Sequence, residues 1–223
     1  MKRIFLLLAI AMLALLSVAC ANDTTSNTTK QAPQIAAKTT YTNSLAGKKI
    51  LVAYFSATNN TKRVAEEIAQ ATGADIYRIE AAQSYSANPY DDKDLIQKEA
   101  YENLRPEVKA PLPASEMAKY DVIFVGSPIW WHQPAMVVCT FLEGYDLSGK
   151  TIVPFFTYGA RSYLNESMQR IYKSTPNSVH VPTNLPKDIE PDNIQQSQND
   201  DDGIIMPADV GNIDAWLKVL QLK

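Results

Sequence analysis

An unbroken apolar run, Ile50 to Phe55, restricts the possible folds more than any other feature of this chain. A strand that is apolar on both faces must be covered on both sides, as the strands of a parallel sheet are. Two further runs of the same kind follow, Tyr120 to Ser127 and Thr151 to Tyr158. Helical patterns fill the gaps. Val64, Ala65, Ile68 and Ala69 share one helix face, and Gly73 is a good stop for it. Shorter strands are expected at Ala74 to Glu80 and Ser178 to Val181. Further helices are expected over Asp91 to Asn103, Pro134 to Leu142 and Arg161 to Tyr172. Lys187 to Asp202 reads as a polar surface excursion, Ile204 to Met206 as a small apolar island. Ile213, Trp216, Leu217 and Leu220 form the apolar face of a closing helix. Strand and helix alternate five times, which predicts an α/β fold with a parallel sheet and helices on both faces. Ligands of such sheets bind beyond the carboxyl ends of the strands.

Three loops leave the carboxyl ends of the strong strands. The first, Ser56 to Thr61, consists of small hydroxyl and amide side chains at a helix start. Backbone N–H groups and hydroxyls converge in such a loop, and a phosphate fits it. The same residue types also cap helices, so a plain βα turn is the competing reading. The second loop, Ser127 to Pro134, carries Trp130, Trp131 and His132; the third, Thr157 to Ser162, carries Tyr158 and Arg161. Large aromatics in loops usually cover something. Adjacent tryptophans point different ways, so one is expected near a ligand and the other on the protein or at the entrance. His132 can donate to a ligand carbonyl or bond to backbone; both readings stand. Cys139, among Val137, Val138, Phe141 and Leu142, reads as a buried small hydrophobe. A ligand with a phosphate tail and a flat heteroaromatic ring would use all three loops, and flavin mononucleotide (FMN) has that shape.

The segments YFSATNNTKRVAEEIA, YDVIFVGSPIWWHQPAMVVCTFLE and LSGKTIVPFFTYGARS resemble the flavodoxin-like proteins, in a branch with a Pro-Ile-Trp-Trp loop. The resemblance runs from about Lys48 to Ser167. It implies a three-layer sandwich around a five-stranded parallel sheet of order 2-1-3-4-5, binding one FMN without a covalent bond. It implies that Ser56, Thr58, Asn60 and Thr61 hold the phosphate. Pro128, Ile129, Trp130 and Trp131 would lie along the ring system with His132 beside them, and Thr157, Tyr158 and Gly159 would flank its other side or edge. One departure stands out: Asn59 occupies a position where the family usually has glycine. Asparagine tolerates positive φ better than any residue but glycine, so the loop conformation is expected to survive.

The N-terminus is read as a processing segment. Lys2 and Arg3 precede an apolar stretch, Ile4 to Leu16, that is short for a membrane span. Leu16-Ser17-Val18-Ala19-Cys20 resembles the lipobox of a bacterial lipoprotein, which implies cleavage before Cys20 and its acylation. Residues 1–19 are then a signal peptide and 20–44 a polar tether, with the folded domain over 45–223. Two acyl signals would anchor the chain stably at an extracytoplasmic membrane face. A formal charge of −3 argues against nucleic-acid binding. Two cysteines are too few for a disulfide framework, and the two histidines lack metal-ligand spacing. No Walker loop, G-x-S-x-G elbow or G-x-G-x-x-G fingerprint occurs. The expected function is an FMN-binding redox protein, an electron carrier or a reductase of quinone-like acceptors, that needs no catalytic side chain. The alternative is a flavin-free binding or scaffold lipoprotein on the same fold.

Overall fold

Strand β1 (Ile50–Tyr54) is buried along its whole length, and its side chains alternate between two cores. Leu51 and Ala53, with Phe55 just beyond the strand, enter one core; Ile50, Val52 and Tyr54 enter the other. That alternation is the period-two geometry of a strand with both faces covered. The structure is a computed structural model and describes residues 44–86, 88–158, 163–181, 204–206 and 213–222. The expectations for residues 1–43, including the signal peptide, most of the tether and Cys20, lie outside the described residues, as do those for Gly159, Arg161 and Lys187 to Asp202.

The remaining elements are α1 (Asn60–Thr72), β2 (Asp75–Arg78), α2 (Lys93–Tyr101), α3 (Ala114–Met117), β3 (Val122–Trp130) and β4 (Gln133–Pro134), then α4 (Met136–Glu143), β5 (Thr151–Tyr158), α5 (Leu164–Ser174), β6 (Val179–His180), β7 (Ile204–Met206) and α6 (Ile213–Val219). The parallel spine runs β2-β1-β3-β5-β6. Once the short β4 is set aside, this is the expected order 2-1-3-4-5. Helices α1 and α6 pack on one face through Val64, Ala65, Ile68, Ile213, Trp216 and Leu217. Helices α4 and α5 cover the other through Val137, Val138, Phe141, Leu142, Met168 and Ile171.

Two features correct the sequence reading. The second loop is largely strand: β3 continues through Pro128 to Trp130 and returns as β4, pairing Ile129 with Pro134 and Trp130 with Gln133. Helix α4 therefore starts at Met136, with Pro134 in β4 rather than in a first helical turn. The island Ile204–Met206 is strand β7, antiparallel to the far end of β5. β6 pairs with Thr151 and Ile152, and β7 with Phe156 to Tyr158. Pro154, which has no N–H to donate, falls in the gap between them. Gly126 makes room inside the sheet: a Cβ there would come within 2.2 Å of the Phe155 ring.

Candidate functional site

Strand β1 ends at Tyr54, and the chain passes through Ser56 into the α1 N-terminus. Asn59 is the N-cap residue, at φ 66° and ψ 1° in the left-handed region. Its carbonyl accepts from the Arg63 N–H at 3.0 Å, but its side chain makes no capping bond. The asparagine therefore serves the backbone path rather than a cap. The first turn of a helix leaves N–H groups without intrahelical partners, which favours an anion at its N-terminus. Thr58 and Asn59 are exposed, while Ala57 and Asn60 are half-buried. Ser56 is 2 % exposed, and its Oγ is buried with no hydrogen-bond partner. An unpaired buried hydroxyl costs about 1–3 kcal/mol, and an anion oxygen in the loop would satisfy it.

The three strand-end segments meet. Thr61 and Thr157, both buried, share a hydrogen bond of 2.8 Å between their hydroxyls. Thr157 is the register partner of Pro128 across β3 and β5. Phe55, just before the first loop, packs its ring 5.3 Å from that of Trp130. The first loop, the β3–β4 hairpin and the end of β5 thus lie side by side at the carboxyl edge of the sheet. Tyr158 is buried at the β5 terminus.

The hairpin tip is strained and held. Trp131 (φ 46°) and His132 (φ 66°) are its two central residues. Positive φ at both positions is the signature of a type I′ turn, usually built from Asn and Gly. A tryptophan there is unfavourable on backbone grounds and persists only where its surroundings fix it. Helix α5 and its preceding residue provide that support. The His132 ring stacks on Tyr163 at 3.6 Å between centroids, and Ser167 Oγ donates to the His132 carbonyl at 3.2 Å. Arg170 Nε donates to Gln133 Oε1 at 2.7 Å, and its Nη1 reaches Asn103 at 2.7 Å. At the hairpin base, Ser127 Oγ accepts from the Ala135 N–H and donates to the Pro128 carbonyl.

Trp130 packs edge-on against Phe55 and Tyr85, at 5.3 Å from each. Trp131 stands at the tip. The sequence reading did not find Phe55, Tyr85, Tyr163 or Arg170. Nothing local marks them, because each acts through a contact distant in sequence. Cys139 is fully buried, and burial raises its thiol pKa. Among the described residues no group of three or more His, Cys, Asp or Glu side chains could hold a metal ion.

Comparison with known proteins agrees with this arrangement. The family described as Flavodoxin matches residues 49–197. A crystal structure from Bacteroides eggerthii, named as a flavoprotein candidate, is 32% identical, covers 79% of this chain and 99% of its own, and superposes with a TM-score of 0.57. One from Bacteroides uniformis, named in the same way, is 33% identical over 60% of this chain and 90% of its own, with a TM-score of 0.51. A flavoprotein from Lactobacillus acidophilus in complex with FMN is 23% identical, with a TM-score of 0.51 and coverage of 60% and 90%, and shares the fold. No curated protein sequence matches significantly. With the strand order, the helix layers and the family match in agreement, the chain belongs to the flavodoxin family.

Proposed function

We propose that this protein is an FMN-binding redox protein, held at the extracytoplasmic face of a bacterial membrane through acylated Cys20. The observation that carries the cofactor reading is the buried Ser56 Oγ with no protein partner, beside a left-handed Asn59 that does no capping. Ser56, Thr58, Asn60 and Thr61, at the N-terminus of α1, bind the phosphate. Asn59 shapes the loop around it. Pro128, Ile129, Trp130 and Trp131 form one wall for the ring system; Thr157 and Tyr158 form the other, and the family resemblance would add Gly159, which lies outside the described residues. His132, held by Tyr163, keeps its place at the rim. When bound, FMN supplies the one- and two-electron chemistry, and no side chain need act as acid or base. The chain's own part is to bind, to orient and to exclude water from the ring.

Lys2, Arg3, the apolar stretch to Leu16 and the placement of Cys20 support the anchor. Purified protein tests both halves. It is expected to be yellow, with one FMN released per chain on denaturation, and to incorporate palmitate in cells unless Cys20→Ala is introduced. A colourless protein that ignores added FMN would overturn the cofactor reading. Turnover of NAD(P)H with a quinone marks a reductase; dependence on a protein donor marks a carrier.

A further inference from the structure

We propose that a cleft on the β2 side of the first loop recognises an anionic group, a carboxylate or phosphate, on the small molecule with which this protein exchanges electrons. The proposal rests on the redox reading above for the identity of its ligand, and on the cleft itself for the chemistry. The cleft holds about 130 Å³ at the carboxyl ends of β1 and β2, and Phe55, Ser56, Arg78, Glu80, Tyr85 and Lys109 line it. Of the residues proposed for FMN, Ser56 also borders this cleft and Trp130 packs against its Phe55 and Tyr85; Thr157 and Tyr158 belong to β5, beyond β3 from it.

The walls are built by the backbone. Beyond β2 the chain at 80–82 runs antiparallel to 107–109. The Ala82 N–H donates to the Glu107 carbonyl and the Lys109 N–H to the Glu80 carbonyl, each at 2.8 Å, around an Ala81–Val108 bridge. Lys109 therefore faces Arg78 across one carboxylate. Both Arg78 Nε and Lys109 Nζ stand 4.0 Å from Glu80, at the limit of an ion pair, with all three side chains about half exposed or more. Pairs of that kind hold weakly. Two cations sharing one carboxylate leave a local positive charge in a chain whose formal charge is −3. Among the described residues Arg78 donates one hydrogen bond, Nη2 to the Ser56 carbonyl at 3.2 Å, and apart from the long Nε contact with Glu80 its fork of donors is left for a carboxylate or phosphate.

The aromatic wall is rigid. Tyr85 donates its hydroxyl to Glu99 at 2.8 Å, and Glu99 is only 6 % exposed. The Tyr85 ring is also braced edge-on by Phe55 and Trp130. An anion seated between Arg78 and Lys109 thus has its apolar body against a fixed surface. That surface is shared with the hairpin tryptophan, so the anchor lies next to the proposed ring site without occupying it. An anchor held equally in the ground state and the transition state acts on KM and leaves kcat unchanged.

The test compares wild type with Lys109→Gln, which leaves the first loop untouched, and with the double variant Arg78→Gln/Lys109→Gln. Benzoate and inorganic phosphate are titrated calorimetrically into the purified protein. The expected result is binding in the millimolar range or tighter, weakened about tenfold or more in the double variant, with FMN affinity unchanged in Lys109→Gln. Steady-state assays then identify the source. A raised KM for NAD(P)H assigns the anion to the donor. A raised KM for 1,4-naphthoquinone-2-carboxylate, with none for 1,4-naphthoquinone, assigns it to the acceptor. Absence of benzoate and phosphate binding overturns the proposal, and so does loss of FMN affinity in Lys109→Gln, since the cleft would then belong to the cofactor site. Benzoate reads the cleft whether or not the chain takes up flavin, and phosphate is titrated with FMN saturating so that the first loop is filled; failure here and failure of the FMN reading are thus told apart.

Discussion

Substitution of Asn59 separates the backbone role of the first loop from its ligand role. Asn59 sits at φ 66° and ψ 1° and makes no side-chain capping bond, so replacing it removes no hydrogen bond within the protein. An ordinary L-residue in the left-handed region costs about 1–2 kcal/mol, and asparagine escapes part of that. Asn59→Ala is therefore expected to lose about 1 kcal/mol, a fall in Tm of about 2–4 °C for a domain of this size. Asn59→Gly relieves the strain but frees the unfolded chain by about 0.5–1 kcal/mol, so it should lie close to wild type. Asn59→Asp tolerates the same φ and should fold like wild type, yet its charge would face the phosphate and weaken FMN by at least roughly tenfold. Equilibrium urea unfolding gives the stabilities, with unchanged slopes showing that only stability moved. Quenching of FMN fluorescence gives the affinities. An Asn59→Ala protein as stable as wild type would rule out the backbone role, and an Asn59→Asp protein that binds FMN normally would rule out a phosphate beside this residue.

Substitutions at three further places test the frame around the site. Thr61→Val or Thr157→Val leaves its buried partner hydroxyl unpaired and should cost about 1–3 kcal/mol, whereas the double Val variant should cost less than the two singles together; additive losses in a denaturation cycle would contradict the shared bond at 2.8 Å. Gly126→Ala drives a methyl into the Phe155 ring and should destabilise by about 1–3 kcal/mol, with Phe155→Leu partly rescuing it in the same urea assay. Burial raises the pKa of Glu99, so the folded state holds that proton more tightly than the unfolded one. Its contribution should therefore fall as pH rises from the ordinary carboxylate range through the raised folded value; Glu99→Gln should remove that part of the pH dependence, and a difference between the two proteins that does not vary with pH would contradict it.

The parts of the fold that were legible in the sequence are those governed by local pattern. The run Ile50 to Phe55 announces a strand covered on both sides, and the polar turn into Val64, Ala65 and Ile68 announces the helix after it. The positive φ of Asn59 agrees with the glycine that the family resemblance places there, a conformation asparagine tolerates. The β3–β4 hairpin was not legible, because Pro128 argues against a continuing strand and Trp131-His132 lacks the Asn-Gly chemistry of a tight turn. Only the tertiary clamp from Tyr163, Ser167 and Arg170 explains it. The Tyr85–Glu99 pair is invisible for the same reason: its contacts with Phe55 and Trp130 join residues far apart in the chain. Strand β7 is too short to carry a period of its own.

In the function proposed above, a phosphate settles against Ser56 and the first turn of α1 while a flat ring rests beside the hairpin tryptophans. Comparing the affinities of purified protein for FMN and for riboflavin, which lacks the phosphate, tests it most directly. With two or more charge-assisted bonds to the phosphate, FMN should bind at least roughly a hundredfold more tightly, and Ser56→Ala should shrink that gap. Equal affinity for the two flavins, or binding of neither, would contradict it.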